Sequence, residues 1–239
     1  MEVINDLLGY QDLKIYQNTD MFQFSLDSVM LANFVTINQK INNILDIGTG
    51  NAVIPIILSK KTNAKITGVE IQKQSYELAC KSLKLNNLEK RIEIINDDIK
   101  NYYKNIETET FDVITCNPPF FKLEEQSNLN DSDYKKIARH EIALNLEDII
   151  QISKKLLKNK GRLAMVHRPE RLIEIITIMK NNNIEPKKIC FLYPKKNKEA
   201  NILLIEGIKN GKPGIKILPP IISHNEDGSY SDKIKIFFS

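Results

Sequence analysis

Residues 41–53, INNILDIGTGNAV, run from an apolar strand into a glycine turn and then into a helix. Gly48 and Gly50 let the backbone turn tightly and approach a ligand with no Cβ in the way. A strand, a glycine turn and a helix in this order are typical of a nucleotide-binding unit in an α/β domain. The stretch therefore predicts a ligand site at the carboxyl end of the first strand.

Strand-like and helix-like segments alternate after this point. Strands are predicted at 41–47, 64–70, 91–96, 111–115, 162–167, 187–194 and 200–209, and helices at 52–60, 73–86, 146–161 (with Gly161 as its stop) and 169–180. Strands that are apolar throughout indicate a parallel sheet covered on both faces. The last two strands have little sequence between them and are expected to pair antiparallel. The fold class is therefore α/β, doubly wound, with seven strands, mostly parallel, and an antiparallel last strand.

Acidic residues stand at the ends of the first three predicted strands. Asp46 precedes the first glycine, Glu70 ends the second strand, and Asp97 and Asp98 end the third. A carboxylate at Glu70 can accept hydrogen bonds from both ribose hydroxyls of a nucleoside. Val53 replaces the third glycine of the dinucleotide fingerprint, and Asp46 would repel a pyrophosphate. A helix cap or a solvated turn explains each acid alone, but together they favour S-adenosyl-L-methionine, whose ammonium and sulfonium groups are positive.

The fourth strand ends in CNPPFFK, residues 116–122. Proline holds the preceding residue extended, so Asn117 presents its side chain at the strand end. Pro118 and Pro119 carry no N–H, which leaves the Pro118 carbonyl as a second acceptor, and Phe120 adds a flat face. Two acceptors around one –NH2 group suit methylation of a planar amine by positioning and electrostatic stabilisation. A plain Pro-Pro turn with a core phenylalanine is the alternative.

These motifs resemble known families. DIGTG, NPPF and the strand-end acids look like class I S-adenosyl-L-methionine-dependent amino-methyltransferases, which have a Rossmann-like fold. FSLDSVMLANF (24–34), IARHE (137–141), VHRPERLIEI (166–175) and PPIISHNEDGSYSDKI (219–234) resemble the bacterial tRNA (adenine-N6) methyltransferases that modify position 37 of a valine tRNA. The resemblance covers nearly the whole chain. One departure is Phe120, where that family usually shows tyrosine.

Two alternatives for the substrate follow from the same motif. NPPF also resembles guanine-N2 methyltransferases that act on ribosomal RNA. Asn-Pro-Pro-aromatic is shared with the protein glutamine methyltransferases of the release-factor type. That second group is expected to carry a helical N-terminal domain, for which the 40 residues before the first sheet strand are too few.

The resemblance implies a set of functional residues. The cofactor is S-adenosyl-L-methionine, the product S-adenosyl-L-homocysteine, and the catalytic residues are Asn117, Pro118, Pro119 and Phe120. The predicted cofactor-binding residues are Phe24, Asp27, Asp46, Gly48, Gly50, Glu70, Ile71, Asp97, Asp98, Ile99 and Asn117. In this scheme residues 1–40 cover the cofactor pocket, 41–212 form the methyltransferase domain, and 213–239 are a C-terminal extension packed on the same domain.

Charge is distributed unevenly along the chain. Residues 1–119 carry a net charge of −3 and residues 120–239 carry +7. A basic half suits a polyanionic partner such as tRNA, although AT-rich coding would give the same surface lysines. The predicted RNA contacts are Lys122, Arg139, His167, Arg168 and Arg171, which include three of the five arginines. The target base must leave its stack to reach Asn117.

Composition limits the remaining possibilities. Hydrophobic residues make up 42% of the chain and charged residues 27%, as in globular proteins. The longest apolar runs are too short to span a membrane, and the acidic N-terminus is unlike a signal peptide. Cys80, Cys116 and Cys190 lack metal or disulfide spacing. We therefore expect a cytoplasmic monomer with reduced thiols, no metal and no membrane association.

Overall fold

The computed structural model describes residues 1–7, 10–19, 26–118 and 144–236. Its strands are β1 (Glu2–Leu7), β2 (Tyr10–Asn18), β3 (Asn43–Ile47), β4 (Lys65–Glu70), β5 (Ile92–Asn96), β6 (Phe111–Cys116), β7 (Leu157–His167), β8 (Ile184–Tyr193), β9 (Ile202–Lys209), β10 (Lys216–Ile217) and β11 (Ile221–Ile222). Its helices are α1 (Leu26–Phe34), α2 (Val53–Ser59), α3 (Lys73–Leu85), α4 (Ile99–Tyr102), α5 (Leu146–Leu156), α6 (Leu172–Asn181) and α7 (Asp232–Ile236). None of the helices in these ranges is long and apolar enough to cross a membrane.

The central sheet follows the order β10-β8-β9-β7-β6-β3-β4-β5, and β11 also pairs with β8. Strands β3 to β7 pair in parallel, whereas β9 is antiparallel to both β7 and β8. The predicted antiparallel pairing of the last two long strands is therefore confirmed. In the described residues the sheet has nine strands instead of seven, because the short strands β10 and β11 extend it beside β8.

Both faces of the sheet are buried, as expected for apolar parallel strands. Along β3, Ile44 belongs to one apolar cluster while Leu45 and Ile47 belong to the other. The first cluster includes residues of α1, α2 and α3, and the second includes residues of α5 and α6. By the same alternation Asp46 lies on the face of α1 and α2, which places a carboxylate inside the protein.

Helix α5 is shorter than predicted. It starts at a capping box in which Asp148 N donates to Asn145 Oδ1 at 2.9 Å, and it ends at Leu156. The prediction that it continues to a stop at Gly161 is wrong. Leu157 is fully buried and pairs with Phe111 of β6, so the chain enters the sheet as soon as the helix ends. Burial of this side chain in the sheet stabilises the early end of the helix.

An N-terminal hairpin, β1 and β2, forms a separate two-stranded sheet that the sequence did not reveal. Strand β1 (EVINDL) buries only Leu7, and its apolar residues do not alternate with polar ones, so it carries no strand signal. The hairpin lies on α3, where Tyr16 N donates to Ser82 Oγ at 3.0 Å. Asn51 Nδ2 also donates to Tyr16 O at 3.1 Å, which connects the hairpin to the glycine turn. The role of residues 1–40 as a pocket cover stays a prediction.

The C-terminal segment extends the sheet at β8. Leu218 N donates to Ile189 O at 2.8 Å, and Ser223 N donates to Tyr193 O at 2.8 Å. Ile234 of α7 is fully buried. These contacts place the described end of the chain on the outer strand of the central sheet.

A buried ion cluster joins the end of α1 to the sheet. Glu206 of β9 is 1% exposed and accepts hydrogen bonds from Thr36 N (2.7 Å), Thr36 Oγ1 (2.9 Å) and Arg162 Nη1 (2.8 Å). Lys188 Nζ lies 3.5 Å from the same carboxylate. Three elements therefore depend on one buried acid.

We expect Glu206→Ala to lower the free energy of unfolding by about 3 kcal/mol, because two cations lose their buried counter-charge. Urea unfolding followed by circular dichroism measures this loss. Glu199→Ala is the control, since Glu199 is exposed on the loop before β9. Equal stability of the two variants would show that the cluster contributes nothing.

Candidate active site

The glycine turn after β3 leaves open space at the carboxyl edge of the sheet. Gly48 (φ +66°) and Gly50 (φ +58°) adopt the left-handed conformation that side chains disfavour. A Cβ on either glycine would meet no atom within 4 Å. Gly48 N and Thr49 N both donate to Val69 O, at 2.9 and 3.1 Å, which fixes the turn against β4. The turn is thus a rigid cradle with room for a ligand above it.

Glu70 holds this cradle from the end of β4. Its Oε2 accepts from Gly50 N and its Oε1 from Gln72 N, both at 2.8 Å, and it is 5% exposed. Ile71, the next residue, is 49% exposed and provides an apolar surface at the same strand end. A carboxylate beside an apolar wall fits the ribose and adenine of a nucleoside.

Asp46 is buried below the turn and incompletely paired. It is 1% exposed, and its Oδ1 accepts from Thr115 Oγ1 at 2.6 Å. Within the described residues its Oδ2 has no partner at hydrogen-bond distance, although the nearby Thr49 hydroxyl favours the ionised form. Burial raises the pKa of this carboxyl to about 7, and nearby Glu70 adds to the rise. A buried acid of this kind calls for a donor or a cation, which fits the ammonium of S-adenosyl-L-methionine.

The acids after β5 have structural roles of their own. Asp98 Oδ1 accepts from Lys100 N at 2.8 Å and caps α4, while Asp97 Oδ1 accepts from Asp98 N at 2.7 Å. Ile99 is 4% exposed, inside the first turn of α4. Asp98 is therefore a helix cap, which is one of the two alternatives that the sequence left open for these acids. Each carboxylate still has lone pairs to offer, and the predicted contact with adenine stays a prediction.

Asn117 lies beside the cradle because β6 pairs directly with β3. Ile47 is in register with Cys116, so Asn117 and Gly48 follow at adjacent strand ends, about 5 Å apart across the sheet. Asn117 is half-buried and Pro118 is buried. The Asn117 Nδ2 group donates to Ser28 Oγ of α1 at 2.8 Å. Asp27, predicted to cover the cofactor, is half-buried in the first turn of the same helix.

Sequence reasoning missed Ser28 and Thr115. Ser28 lies inside the motif FSLDSVMLANF, but no sequence pattern connects it with Asn117, 89 residues away. Thr115 reads as an ordinary strand residue. Only the pairing of β3 with β6 shows that Thr115 lies opposite Asp46.

The basic residues after β7 form an internally bonded group at the same edge of the sheet. His167 is 3% exposed, its Nδ1 accepts from Arg168 N at 2.8 Å, and Arg171 Nη1 lies 3.3 Å from its Nε2. Burial, with Arg171 close by, lowers the pKa of His167 to about 4, so the ring is neutral near pH 7. Arg171 also pairs with Glu174. Contact of this group with RNA stays a prediction, and its arginines have the more accessible side chains.

Five predicted site residues lie outside the described part of the chain: Phe24, Pro119, Phe120, Lys122 and Arg139. Within the described residues, no group of three or more histidine, cysteine, aspartate or glutamate side chains is placed to hold a metal ion.

Comparison with known proteins identifies the type of domain. The family model described as "Methyltransferase small domain" matches residues 23–182, more than half of the chain. The chain belongs to the methyltransferase small domain family. Membership confirms the predicted class, a methyltransferase that depends on S-adenosyl-L-methionine, and the matched residues contain the glycine turn, Glu70 and Asn117.

Individual relatives agree with this assignment. The methyltransferase is 28% identical over 213 residues to the tRNA1(Val) (adenine(37)-N6)-methyltransferase of Aliivibrio salmonicida, covering 89% of this chain and 87% of the relative. A protein of the same description from Flavobacterium johnsoniae is 24% identical, with 97% and 99% covered. The resemblance inferred from the motifs is thereby confirmed.

Solved structures share the fold. A predicted O-methyltransferase from Agrobacterium tumefaciens superposes with a TM-score of 0.68 at 20% identity, covering 89% of this chain and 97% of that one. The geranyl diphosphate C-methyltransferase of Streptomyces coelicolor, solved with S-adenosyl-L-homocysteine, gives a TM-score of 0.57 at 10% identity, with 76% and 78% covered. These likenesses confirm the predicted fold class.

The methyltransferase should bind its cofactor more weakly in acid. In the role predicted for it, Asp46 binds the cofactor's ammonium in its ionised form, and its pKa is about 7 in the ligand-free protein. Lowering the pH from 8 to 6 therefore raises the Kd of S-adenosyl-L-methionine about tenfold, since binding must first remove a proton. Calorimetric titration across this range measures the change. An affinity independent of pH, or the same pH dependence in Asp46→Asn, would contradict the role given to Asp46.

The raised pKa of Asp46 also predicts that the ligand-free protein becomes less stable as the pH rises, whereas its affinity for the cofactor increases. The folded protein holds the Asp46 proton more tightly than the unfolded chain does, because the pKa rises on burial. This contribution to stability is complete below the unfolded pKa and is lost as the pH rises through about 7. Asp46→Asn should therefore raise the Tm of the ligand-free protein at pH 8, measured by thermal unfolding, and change it little at pH 4.

Proposed function

We propose that this methyltransferase transfers a methyl group to the exocyclic N6 amine of an adenine in tRNA, at position 37 of a valine tRNA. The observation that carries the proposal is the half-buried Asn117 amide at the end of β6, immediately beside the glycine cradle at the end of β3. The similarity to the tRNA1(Val) (adenine(37)-N6)-methyltransferases of A. salmonicida and F. johnsoniae supports the choice of substrate.

Asn117 and Pro118 hold the amine in this proposal. The lone pair of an adenine amine is delocalised into the ring, so the nitrogen is a weak nucleophile. Asn117 Oδ1 and the Pro118 carbonyl each accept one N–H bond and favour a more tetrahedral nitrogen. These acceptors fix the orientation of the amine and stabilise the positive charge that develops on it. Pro118 cannot donate a competing N–H.

The cofactor residues keep their predicted roles here. Bound S-adenosyl-L-methionine supplies an electrophilic methyl group and leaves as S-adenosyl-L-homocysteine. Asp46 binds its ammonium, Gly48 and Gly50 give room for its methionine part, and Glu70 holds the ribose. The adenine of the cofactor lies against Ile71 and Ile99, with Asp97 or Asp98 accepting from its amine. Phe24 and Asp27 cover the site from the N-terminal side.

Recognition of RNA involves the target base and the backbone around it. Phe120 stacks on the unstacked base, which contributes about 1–3 kcal/mol in comparable base–aromatic contacts. A base in a tRNA loop is easier to extract than one in a duplex. Lys122, Arg139, Arg168 and Arg171 contact phosphates, and neutral His167 supports the two arginines beside it. Pro119, like Pro118, has no N–H that could compete for the acceptors.

The proposal is tested by measuring which candidate substrate becomes radiolabelled. The protein is incubated with radiolabelled S-adenosyl-L-methionine and, separately, with total tRNA, ribosomes and a peptide-chain release factor. We expect label in the tRNA fraction. Label in ribosomal RNA alone would favour the guanine-N2 reaction, and label in the release factor alone would overturn an RNA substrate.

A further inference from the structure

Helix α1 reaches the substrate-binding asparagine through one hydroxyl group. Asn117 Nδ2 donates to Ser28 Oγ at 2.8 Å, and both residues are half-buried. Ser28 stands near the start of α1, whereas Asn117 ends β6, so the contact joins two elements far apart in sequence. Within the described residues, this is the hydrogen bond that orients the Asn117 amide.

The orientation of that amide matters because its two ends have opposite hydrogen-bonding character. Oδ1 accepts hydrogen bonds and Nδ2 donates them, while the two groups have nearly the same shape. A rotation of 180° about the last side-chain bond exchanges them. With Nδ2 directed at Ser28, Oδ1 is the group left to accept from the substrate amine. After the exchange, the –NH2 group of Asn117 would face the –NH2 group of the substrate.

We propose that Ser28 is a positioning residue that keeps the Asn117 amide in its acceptor orientation. A serine hydroxyl can donate or accept a hydrogen bond, and in the structure Ser28 Oγ accepts from Asn117 Nδ2. That contact turns the Nδ2 end of the amide toward α1 and leaves Oδ1 for the substrate. Ser28 thereby acts on the reaction through Asn117 and makes no contact with the substrate. This inference rests on the proposed function of Asn117 as an acceptor for a planar amine.

Loss of the hydroxyl should affect turnover and spare the cofactor site. In Ser28→Ala the amide loses the hydrogen bond that fixes its orientation. We expect kcat to fall about twofold if the two orientations become equally populated, and up to about tenfold if the inactive one is preferred by the energy of one hydrogen bond. The Kd of S-adenosyl-L-methionine and the Tm change little, since Ser28 takes no part in the glycine cradle or the cores. Ser28→Thr keeps a hydroxyl at the same place and should retain the natural kcat.

A double-mutant cycle with Asn117→Asp gives the decisive readout. The two oxygens of a carboxylate are equivalent, so rotation of Asp leaves an acceptor facing the substrate in either orientation. Ser28→Ala should therefore leave kcat nearly unchanged in the Asn117→Asp background, against a loss of about two- to tenfold in the natural background. A purely structural role of Ser28 would give the same loss in both.

Several results would overturn the inference. They are an unchanged kcat in Ser28→Ala, equal losses in Ser28→Ala and Ser28→Thr, and equal losses in the two backgrounds. Should Asn117→Asp itself have no measurable turnover, the comparison of alanine with threonine at position 28 decides alone. The natural protein reports on the proposed function separately: if it fails to methylate RNA, that proposal fails, whereas an active natural protein with an equally active Ser28→Ala variant refutes only the positioning role.

Discussion

Asn117→Ala is expected to lower the rate of methyl transfer about 100- to 1,000-fold and to leave the Kd of S-adenosyl-L-methionine within about threefold of its natural value. The size of the loss follows from removing one preorganised group that stabilises charge developing during the reaction. The cofactor cradle is spared because its turn is fixed by Val69 and Glu70, and the Asn117 side chain contacts neither.

Single-turnover methylation with saturating cofactor measures the chemical step, and calorimetry measures cofactor binding. Asn117→Asp is the matched variant, because it keeps an acceptor oxygen at the same place and should retain much more activity than alanine. A turnover unchanged in Asn117→Ala would show that the amide does not hold the substrate. A parallel loss of cofactor affinity would mean that Asn117 serves the cofactor site instead.

Glu70→Ala should weaken binding of S-adenosyl-L-methionine about 100-fold. The substitution removes a carboxylate that fixes the cradle through Gly50 N and Gln72 N and that, in the proposed function, also accepts from the ribose. Loss of a charged acceptor costs about 1.5–3 kcal/mol, and the two unsatisfied backbone donors add to that cost. Calorimetric titration with S-adenosyl-L-homocysteine avoids turnover during the measurement.

Glu77→Ala is the control for this prediction, because Glu77 is exposed on α3 only seven residues from Glu70. Thermal unfolding of both variants separates loss of binding from loss of fold. A folded Glu70→Ala protein that binds the cofactor normally would show that Glu70 is not part of the cofactor site. It would also contradict the common role predicted for the strand-end acids.

The alternation of strands and helices was sufficient to predict the central sheet. Parallel strands buried on both faces have apolar sequences, and glycines mark the turn that a ligand must approach, so both signals are local. The N-terminal hairpin was missed for a physical reason. Strand β1 buries only Leu7 and shows no alternation, whereas β2 buries Leu13 and Ile15 on either side of exposed Lys14, an alternation with too few apolar residues to stand out in the sequence.

In the candidate site, too, the sequence predicted residues that a short stretch identifies, but not contacts between distant segments. Asp46, Glu70 and Asn117 were predictable because each ends a strand, and the ends of parallel strands meet at one edge. The partnership of Asn117 with Ser28 was not predictable, since it depends on how α1 lies against β6. The predicted C-terminal end of α5 was wrong for a similar reason. Burial of Leu157 beside Phe111 outweighed the helical pattern that continues past Leu156.

The most direct test of the account is the identity of the methylated nucleoside. An unmodified valine tRNA transcript is incubated with the protein and S-adenosyl-L-methionine, digested, and analysed by mass spectrometry of nucleosides and of mapped fragments. The account predicts N6-methyladenosine at position 37, and none in a transcript whose adenine at that position is replaced. N2-methylguanosine, or methyl groups at another position, would contradict it.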